Sequence, residues 1–283
     1  FGVKMGYDYL AASFVRCRED VEAVRKLITD NGGKMKIISK IENMQGIDNI
    51  DEILEVSDGI MVARGDMGVE VPMEEVPILQ KELIQKTIRQ GKIVIKKVYE
   101  AGKQVITATQ MLDSMMKNPR PTRAETTDVA NAIYDGTTAI MLSGESAAGA
   151  YPIESVQTMS RIAERTEQEV GYEARFHAIN YGCEVLDNRE DVTTAISHAC
   201  CATAMDLKAS AIITVTMSGF TANKISRYQP ECMVIGCTVD ESVYRQLSLL
   251  FGVMPLLIQK EEDTEKLFDR HKCQFGSRAN SSR

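Results

Sequence analysis

Two short apolar stretches, MKIISKI at residues 35–41 and GIMVA at 59–63, decide the fold class of this chain. Each leads directly into charged residues. The segment between them, residues 46–56, instead carries apolar side chains at helical spacing. Short apolar strands that alternate with amphipathic helices indicate a parallel sheet buried on both faces. We therefore expect an α/β protein whose sheet is either doubly wound or closed into a barrel.

The alternation continues on both sides of these stretches. Further strands are expected at 7–14, 104–109 and 139–143, with helices at 18–31 and at 122–134, the latter opening on a capping-box spacing. After a Gly/Pro break at 149–152, the pattern predicts helices at 151–169, 190–207, 219–228 and 240–250 and strands at 211–216 and 233–238, followed by an apolar stretch at 253–258. We expect two domains, 1–168 and 169–268, with a hinge near 165–185 and a disordered tail at 269–283.

The composition excludes several classes of protein. The 283 residues are 44% hydrophobic and 26% charged, which is typical of a globular chain. No stretch approaches the roughly 18 apolar residues of a membrane-spanning helix, so we expect no membrane partner. The net charge of −7 disfavours a nucleic-acid partner, which would normally meet a basic surface. Seven cysteines without zinc spacing indicate free thiols in a reducing compartment, so we expect a cytoplasmic protein.

One internal repeat stands out. Residues 85–95 (QKTIRQGKIVI) resemble residues 96–106 (KKVYEAGKQVI) at a period of eleven. Two copies exclude a solenoid and indicate a tandem duplication. Each copy ends in a Gly-Lys turn and a strand, and only one copy can occupy the strand position of the sheet. We expect residues 105–109 there, because only that copy leads into the string ATQML at 108–112.

Charged residues follow two neighbouring strands at the point where each strand ends. Lys40 and Glu42 have the period-two spacing that places them on one face, and Arg64, Gly65 and Asp66 follow the next strand. The carboxyl ends of parallel strands meet at one edge of a sheet, where functional groups gather. Glu42 and Asp66 offer the oxygen ligands that Mg²⁺ or Mn²⁺ prefers. Lys40 can stabilise charge on a transferring phosphoryl group.

The remaining strand ends carry hydroxyl groups. Thr107 and Thr109 end one strand, and Ser143 and Glu145 follow the last. Such groups can anchor a carboxylate or relay a proton. Singly, these patterns are also ordinary, since a Lys-x-Glu pair is often a surface pair and ARGD can be a turn followed by a helix cap. At four successive strand ends they indicate a metal-assisted anion site.

Longer strings carry a resemblance to a known family. They are KIISKIEN (36–43), DGIMVARGDMGVE (58–70), QKELI (80–84), VITATQMLDSM (105–115), NPRPTRAETTDVANA (118–132) and DGTTAIMLSGESAAGAYP (135–152). In order and spacing they resemble pyruvate kinase, over about residues 7–258. The resemblance implies a partial TIM (β/α)8 barrel at 1–168, with the duplication at 85–106, and a three-layer α/β domain at 169–268. It also implies phosphoryl transfer from phosphoenolpyruvate to ADP, giving pyruvate and ATP, in a homotetramer when complete.

The resemblance assigns the charged residues. Lys40 matches the lysine that contacts the transferring phosphoryl group, and Glu42 and Asp66 match the ligands of Mg²⁺ or Mn²⁺. Asp66 also lies in the segment that contacts substrate. K⁺ is usually a second cofactor of the family, and its ligands are expected outside this sequence.

The resemblance also assigns substrate contacts and a proton donor. The backbone of Ala63, Arg64 and Gly65, at the start of a short helix, is implied to hold the substrate carboxylate. Thr109 matches a threonine that contacts substrate. Ser143 and Glu145 match residues considered for proton donation to the enolate, and they complete the candidate catalytic set.

A loop in the second domain, TMSGFT at 216–221, resembles the family loop that binds an effector. Thr216, Ser218, Gly219 and Thr221 are its candidate contacts, for a sugar phosphate or a nucleotide. Met217 and Phe220 replace residues that are often basic in the family. An anionic effector would therefore meet less positive charge here.

The sequence also departs from the family pattern. In family terms it starts at about the fourth barrel strand, so residues that bind nucleotide and K⁺ are not in it. Five strands cannot close an eight-stranded barrel. We therefore expect a fragment that is inactive alone. Two alternatives remain: a non-catalytic truncated product, and a Mg-dependent aldolase or lyase that acts through a pyruvate enolate.

Overall fold

The computed structural model of the chain describes residues 1–88, 103–181 and 192–259. The chain divides into two units, residues 1–170 and 171–283. Within the described ranges, no helix is both long and apolar enough to cross a membrane. The boundary between the units lies in the region where the sequence predicts a hinge, although part of that region is helical. Each unit is built on its own parallel sheet.

Five parallel strands form the sheet of the first unit in its described part. They are β1 (Tyr9–Ala12), β2 (Lys36–Ile41), β3 (Gly59–Ala63), β4 (Gln104–Ala108) and β5 (Ala139–Met141). The strand order in the sheet is the order in the chain, β1-β2-β3-β4-β5. Every residue of β3 and β4 is buried, as the apolar strings predict. The sheet confirms the expected α/β class with parallel strands.

Helices follow the strands of this unit. They are α1 (Gly2–Met5), α2 (Arg18–Asp30), α3 (Met44–Asp48), α4 (Ile50–Val56), α5 (Arg64–Glu70), α6 (Val76–Ile88), α7 (Arg123–Asp135), α8 (Gly144–Ala147) and α9 (Pro152–Glu167), with a 3₁₀ turn at Asp113–Met116. The single helix predicted at 46–56 is wrong, because Asn49 (φ −95°, ψ 14°) divides it into α3 and α4. The predicted capping box is present, since Glu125 N–H donates to Thr122 Oγ1 at 3.3 Å and Thr122 N–H donates to Glu125 Oε2 at 2.7 Å.

The second unit contains a smaller sheet in its described part. Its elements are α10 (Tyr172–Tyr181), α11 (Val192–Asp206), β6 (Ala211–Val215), α12 (Phe220–Ser226), β7 (Met233–Thr238), α13 (Glu241–Leu247) and β8 (Val253–Leu257). The three strands are parallel in the order β6-β7-β8. Helix α10 occupies residues that the sequence assigns to the hinge. The expected tail at 269–283 lies outside the described residues.

The pairing of strand β4 shows which copy of the repeat lies in the sheet. It pairs with β3 from Gly59 opposite Gln104 to Ala63 opposite Ala108, and with β5 on its other side. The strand therefore uses the second copy, as predicted, and leaves Thr109 immediately beyond its carboxyl end. Residues 89–102, which include most of the duplication, lie outside the described residues.

Two positively charged side chains donate hydrogen bonds to carbonyl groups at the carboxyl end of helix α4, which lies at the amino end of the sheet. Lys103 Nζ donates to the carbonyls of Leu54 and Glu55, and Arg25 Nη2 donates to the carbonyl of Val56 at 2.8 Å. These contacts offset the negative end of the helix dipole. Burial lowers the pKa of Lys103 to about 8; Asp58 opposes the shift and Arg25 adds to it.

We predict that Lys103 makes the stability of the first unit depend on pH. Since the pKa of Lys103 is lower in the folded chain, the unfolded chain binds more protons between about pH 8 and its ordinary pKa of 10.5. Stability must therefore rise with pH in that window, by up to about 1.4 kcal/mol per pH unit. Urea unfolding of the wild type and Lys103→Met at pH values across the window measures this difference.

The comparison between the wild type and Lys103→Met cancels the effects of other titrating groups. Burial also raises the pKa of Tyr9, so ionisation of this tyrosine in the unfolded chain lowers the free energy of unfolding at pH values above about 10. This effect is common to both proteins. The free energy of unfolding of the wild type, relative to the variant, should rise through the window. Parallel pH profiles for the two proteins would contradict the prediction.

Candidate active site at the carboxyl ends of the strands

Glu42 follows strand β2 directly and is fully buried. Its Oε2 accepts a hydrogen bond from Phe14 N–H at 2.6 Å, and its Oε1 lies 2.5 Å from Lys40 Nζ. Among the described residues no donor makes a hydrogen bond to Oε1. The contact with Lys40 is therefore a charge contact without hydrogen-bond geometry. A buried carboxylate oxygen without a hydrogen bond is rare in folded proteins and suits the binding of a cation.

The turn after strand β1 completes the surroundings of Glu42. Lys40 Nζ donates to Ser13 Oγ at 3.3 Å, and Phe14, which supplies its N–H to Glu42, has a φ of 53°. A bulky residue in the left-handed region is uncommon, and such strain tends to occur at functional sites. Sequence reasoning missed Ser13 and Phe14, because no pattern in the string ASF indicates a left-handed backbone.

Asp66 lies at the end of the neighbouring strand. Lys40 pairs with Met61 and Ile41 with Val62, so the same register places Glu42 opposite Ala63, the last residue of β3. Helix α5 begins at the next residue and carries Asp66 in its first turn. Asp66 is exposed, and its carboxylate contacts no cation or donor in the described part of the chain. The two predicted metal ligands thus lie at adjacent strand ends, Asp66 exposed and Glu42 buried with its Oε1 against the Lys40 ammonium.

These two carboxylates fit a divalent cation of the Mg²⁺ type. The described residues contain no group of three or more His, Cys, Asp and Glu side chains that could hold a metal ion. A site with two carboxylates leaves the other coordination positions to substrate oxygens and water, which is usual for Mg²⁺. The predicted donor set is therefore consistent with this cation and not with a metal enclosed by protein ligands.

The side chain of Arg64 points into the protein. It is 10% exposed and forms an ion pair with Asp128 of α7, Nη1 to Oδ1, at 2.6 Å. Nη1 also donates to Gln80 Oε1 at 3.2 Å, and Nη2 donates to the carbonyl of Thr109 at 2.8 Å. The guanidinium is thus occupied by protein groups, so any substrate contact of this residue falls to its backbone.

Gly65 and Thr109 are joined by a hydrogen bond. Gly65 N–H donates to Thr109 Oγ1 at 2.7 Å, and that hydroxyl donates to the carbonyl of Ala108 at 2.7 Å. In this structure the Gly65 N–H is thus occupied by the Thr109 hydroxyl, and its implied contact with the substrate carboxylate stays a prediction. A Cβ at position 65 would lie 3.2 Å from Thr109 Oγ1, which explains why glycine suits the position.

The turn after strand β4 is strained. Thr109 (φ 70°) and Gln110 (φ 55°) are consecutive residues in the left-handed region, and neither is glycine. Each such residue costs on the order of 1–3 kcal/mol, so surrounding contacts must hold it. Thr107, the other predicted hydroxyl, is fully buried and bonds Thr137 Oγ1 at 3.0 Å. Thr107 therefore belongs to the packing between strands and not to the site.

Glu145 connects the last two strand ends. It is 1% exposed; its Oε1 accepts from Leu112 N–H at 3.0 Å and its Oε2 from Ser143 N–H at 2.8 Å. Both oxygens therefore hold backbone groups of the loops after β4 and β5. The role of Ser143 and Glu145 in proton donation stays a prediction.

The predicted effector loop lies in the second unit. Thr216 is buried and accepts a hydrogen bond from the N–H of Gly219, which has a φ of 80°, at 3.0 Å. Ser218 is exposed and Thr221 half-buried. Met217 and Phe220 are 67% and 50% exposed, so the loop presents apolar side chains beside its hydroxyls. Effector binding by Thr216, Ser218, Gly219 and Thr221 stays a prediction.

Both units match domains of one family. Residues 1–156 match the family described as pyruvate kinase, barrel domain. Residues 194–280 match the family described as pyruvate kinase, alpha/beta domain. The first match covers more than half of the chain.

Individual proteins of known sequence or structure are similar to this chain over nearly its whole length. A pyruvate kinase of Clostridium acetobutylicum is 53% identical, over 94% of this chain and 53% of the relative. A pyruvate kinase of Dictyostelium discoideum is 45% identical, over 98% of this chain and 54% of the relative. The crystal structure of a pyruvate kinase from Cryptosporidium parvum, 39% identical, superposes with a TM-score of 0.90 over 99% of this chain and 56% of that one. The chain spans about half the length of the relatives it matches, and it belongs to the pyruvate kinase family.

Proposed function

We propose that this chain supplies the phosphoryl-binding lysine, the metal carboxylates and a substrate-binding threonine of a pyruvate kinase active site. The reaction is phosphoryl transfer from phosphoenolpyruvate to ADP, which gives pyruvate and ATP. The observation that carries the proposal is the buried Oε1 of Glu42, beside Lys40 and without a hydrogen bond from the described residues. Family membership in both units argues against the aldolase or lyase alternative.

Glu42 and Asp66 would hold Mg²⁺ or Mn²⁺ in this site. When bound, the cation supplies positive charge that offsets negative charge on the phosphoryl and enolate oxygens. The hydrogen bond from Phe14 N–H orients the Glu42 carboxylate, and Oε1, which lies against the Lys40 ammonium, would be the coordinating oxygen. The exposed carboxylate of Asp66 has no hydrogen bond or ion pair with the described residues that a cation would have to displace.

Lys40 would stabilise the phosphoryl group during transfer. Its side chain is 23% exposed, and it reaches the site from β2 between Ser13 and Glu42. A positioned ammonium is effective where negative charge spreads over phosphoryl oxygens, because phosphoryl transfer depends on positioning and electrostatics. The contact with Glu42 keeps the ammonium beside the metal ligand.

Thr109 and the segment 63–65 would contact the substrate carboxylate. The hydroxyl of Thr109 already bonds Gly65 N–H, so both groups belong to one preorganised unit. A bound carboxylate would exchange one of these bonds for its own. ADP, K⁺, a sugar-phosphate or nucleotide effector and a homotetramer remain family-based proposals for the complete protein.

The first prediction concerns metal affinity. Glu42→Gln or Asp66→Asn should weaken Mn²⁺ binding by about tenfold or more, because each removes an anionic oxygen ligand. Titration of the 283-residue chain with Mn²⁺, followed by electron paramagnetic resonance, measures the dissociation constant. Glu145→Gln is the matched control, because Glu145 is equally buried at the same end of the sheet but has both oxygens occupied. Unchanged affinity in both test variants would show that the cation is bound elsewhere.

The second prediction separates the lysine from the metal ligands. Lys40→Met should leave Mn²⁺ affinity unchanged or raise it, because the variant removes a positive charge 2.5 Å from Glu42 Oε1. In an active enzyme that contains this chain, the same variant should lower kcat by on the order of 10²–10³ or more. A kcat near the wild-type value would refute the assignment of Lys40.

The third prediction concerns the chain assayed alone. The chain covers 53% of its Clostridium acetobutylicum relative and 56% of the Cryptosporidium parvum structure, and phosphoryl transfer requires both reactants to be positioned. We therefore expect only background ATP formation from phosphoenolpyruvate and ADP with Mg²⁺ and K⁺. A coupled assay of the purified chain measures it. Robust turnover by a demonstrated monomer would overturn this expectation.

A further inference from the structure

The carboxyl end of strand β4 is held by a cluster that includes two side chains, Gln80 and Asp128, to which neither the sequence analysis nor the proposed function gives a role. We call it the Arg64 clamp, and it consists of Arg64, Gln80, Asp128 and the backbone of residues 108–109. Helix α5 supplies Arg64, α6 supplies Gln80 and α7 supplies Asp128. The clamp therefore joins three helices to one turn of the site.

The clamp holds the backbone on both sides of Thr109. Arg64 Nη2 donates to the carbonyl of Thr109 at 2.8 Å, and Arg64 Nε lies 3.4 Å from the carbonyl of Ala108, which it also contacts as a donor. These two carbonyls belong to the peptide groups before and after Thr109. Fixing both peptide groups fixes φ and ψ of the residue between them, which is one of the two left-handed residues of the turn.

Asp128 holds the guanidinium in place. Its Oδ1 lies 2.6 Å from Arg64 Nη1, while Gln80 Oε1 accepts from the same nitrogen at 3.2 Å. The Arg64 side chain is 10% exposed, so a carboxylate partner is needed to compensate its buried charge. Gln80 is itself buried and offers only a neutral acceptor. Asp128 is therefore the member of the clamp that compensates the charge of Arg64.

We propose that Asp128 is a positioning residue, which acts through Arg64 to hold Thr109 in its left-handed conformation and its hydroxyl on Gly65 N–H. The inference rests on the proposed function for the meaning of that hydroxyl, since Thr109 and Gly65 are the groups assigned there to the substrate. Asp128 itself does not touch the substrate. Its effect reaches the site through the 2.7 Å bond between Gly65 N–H and Thr109 Oγ1.

Amide hydrogen exchange in the 283-residue chain tests the clamp directly. Asp128→Asn should speed exchange of the Gly65 amide by about tenfold or more, because loss of the charged partner frees Arg64 and the turn that it holds. The amide of Val62 in the neighbouring strand should keep its exchange rate. Asp128→Glu keeps the charge and should restore much of the protection of Gly65.

Asp58→Asn is the matched control. Asp58 pairs with Arg25 at 2.8 Å, and its side chain is 32% exposed, against 36% for Asp128, but it lies at the opposite end of the sheet. This variant weakens an Arg–Asp ion pair with a similarly exposed carboxylate, although Arg25 is 40% exposed against 10% for Arg64, and it should leave exchange at Gly65 unchanged. An unchanged Gly65 rate in Asp128→Asn, or an equal acceleration in Asp58→Asn, would overturn the proposal.

Substrate binding provides a readout that a purely structural role would not move. With saturating Mn²⁺, Asp128→Asn should weaken phosphoenolpyruvate binding by about tenfold, with Mn²⁺ affinity unchanged and Asp128→Glu close to the wild type. Equal phosphoenolpyruvate affinity in wild type and Asp128→Asn would overturn the positioning role. If the wild-type chain binds Mn²⁺ but no phosphoenolpyruvate, the proposed function fails, whereas failure of the clamp itself shows in the Gly65 exchange rate.

Discussion

The parallel pairing of β2, β3 and β4 is the constraint on which the rest of the first unit depends. Pairs such as Lys40 with Met61 and Ala63 with Ala108 bring three strand ends to one edge. Every residue of β3 and β4 is buried, so a slip of one residue would exchange the two faces of a strand and place every side chain in a different packing environment. The same register that buries the core therefore brings Glu42, the start of α5 and Thr109 together.

The polar side chains at this edge of the sheet fall into two classes, according to whether the protein itself supplies their hydrogen-bond partners. Glu145 and Arg64 have their polar atoms occupied by backbone groups and side chains of the protein, so they hold loops in place. Oε1 of Glu42 accepts no hydrogen bond from the described residues and lies against the Lys40 ammonium, and Asp66 is exposed. Holding the loops requires satisfied partners, whereas binding a cation requires unsatisfied ones. This difference separates residues that shape the site from residues that bind in it.

The sequence predicted what periodicity and local spacing determine. Apolar runs located the five strands, and period-two spacing correctly placed Lys40 beside Glu42. The division of 46–56 at Asn49 and the helix at 172–181 were missed, because tertiary packing and not local propensity decides them. Nothing local marks Phe14 or Gln110 as left-handed, and nothing in spacing joins Arg64 to Asp128, 64 residues away. Long-range polar contacts of this kind are visible only in the folded chain.

We propose that the carboxyl end of the first sheet binds a divalent cation between β2 and β3. Paramagnetic broadening of backbone amide signals by Mn²⁺, added in small amounts to the labelled chain, measures the position of the cation directly. A cation between β2 and β3 should broaden the amide signals of Phe14 and Gly65 first, while that of Ile37, beside the Asp58 carboxylate at the opposite end, stays sharp. Broadening that is strongest at Ile37, or uniform along the sheet, would show that the cation does not bind between β2 and β3.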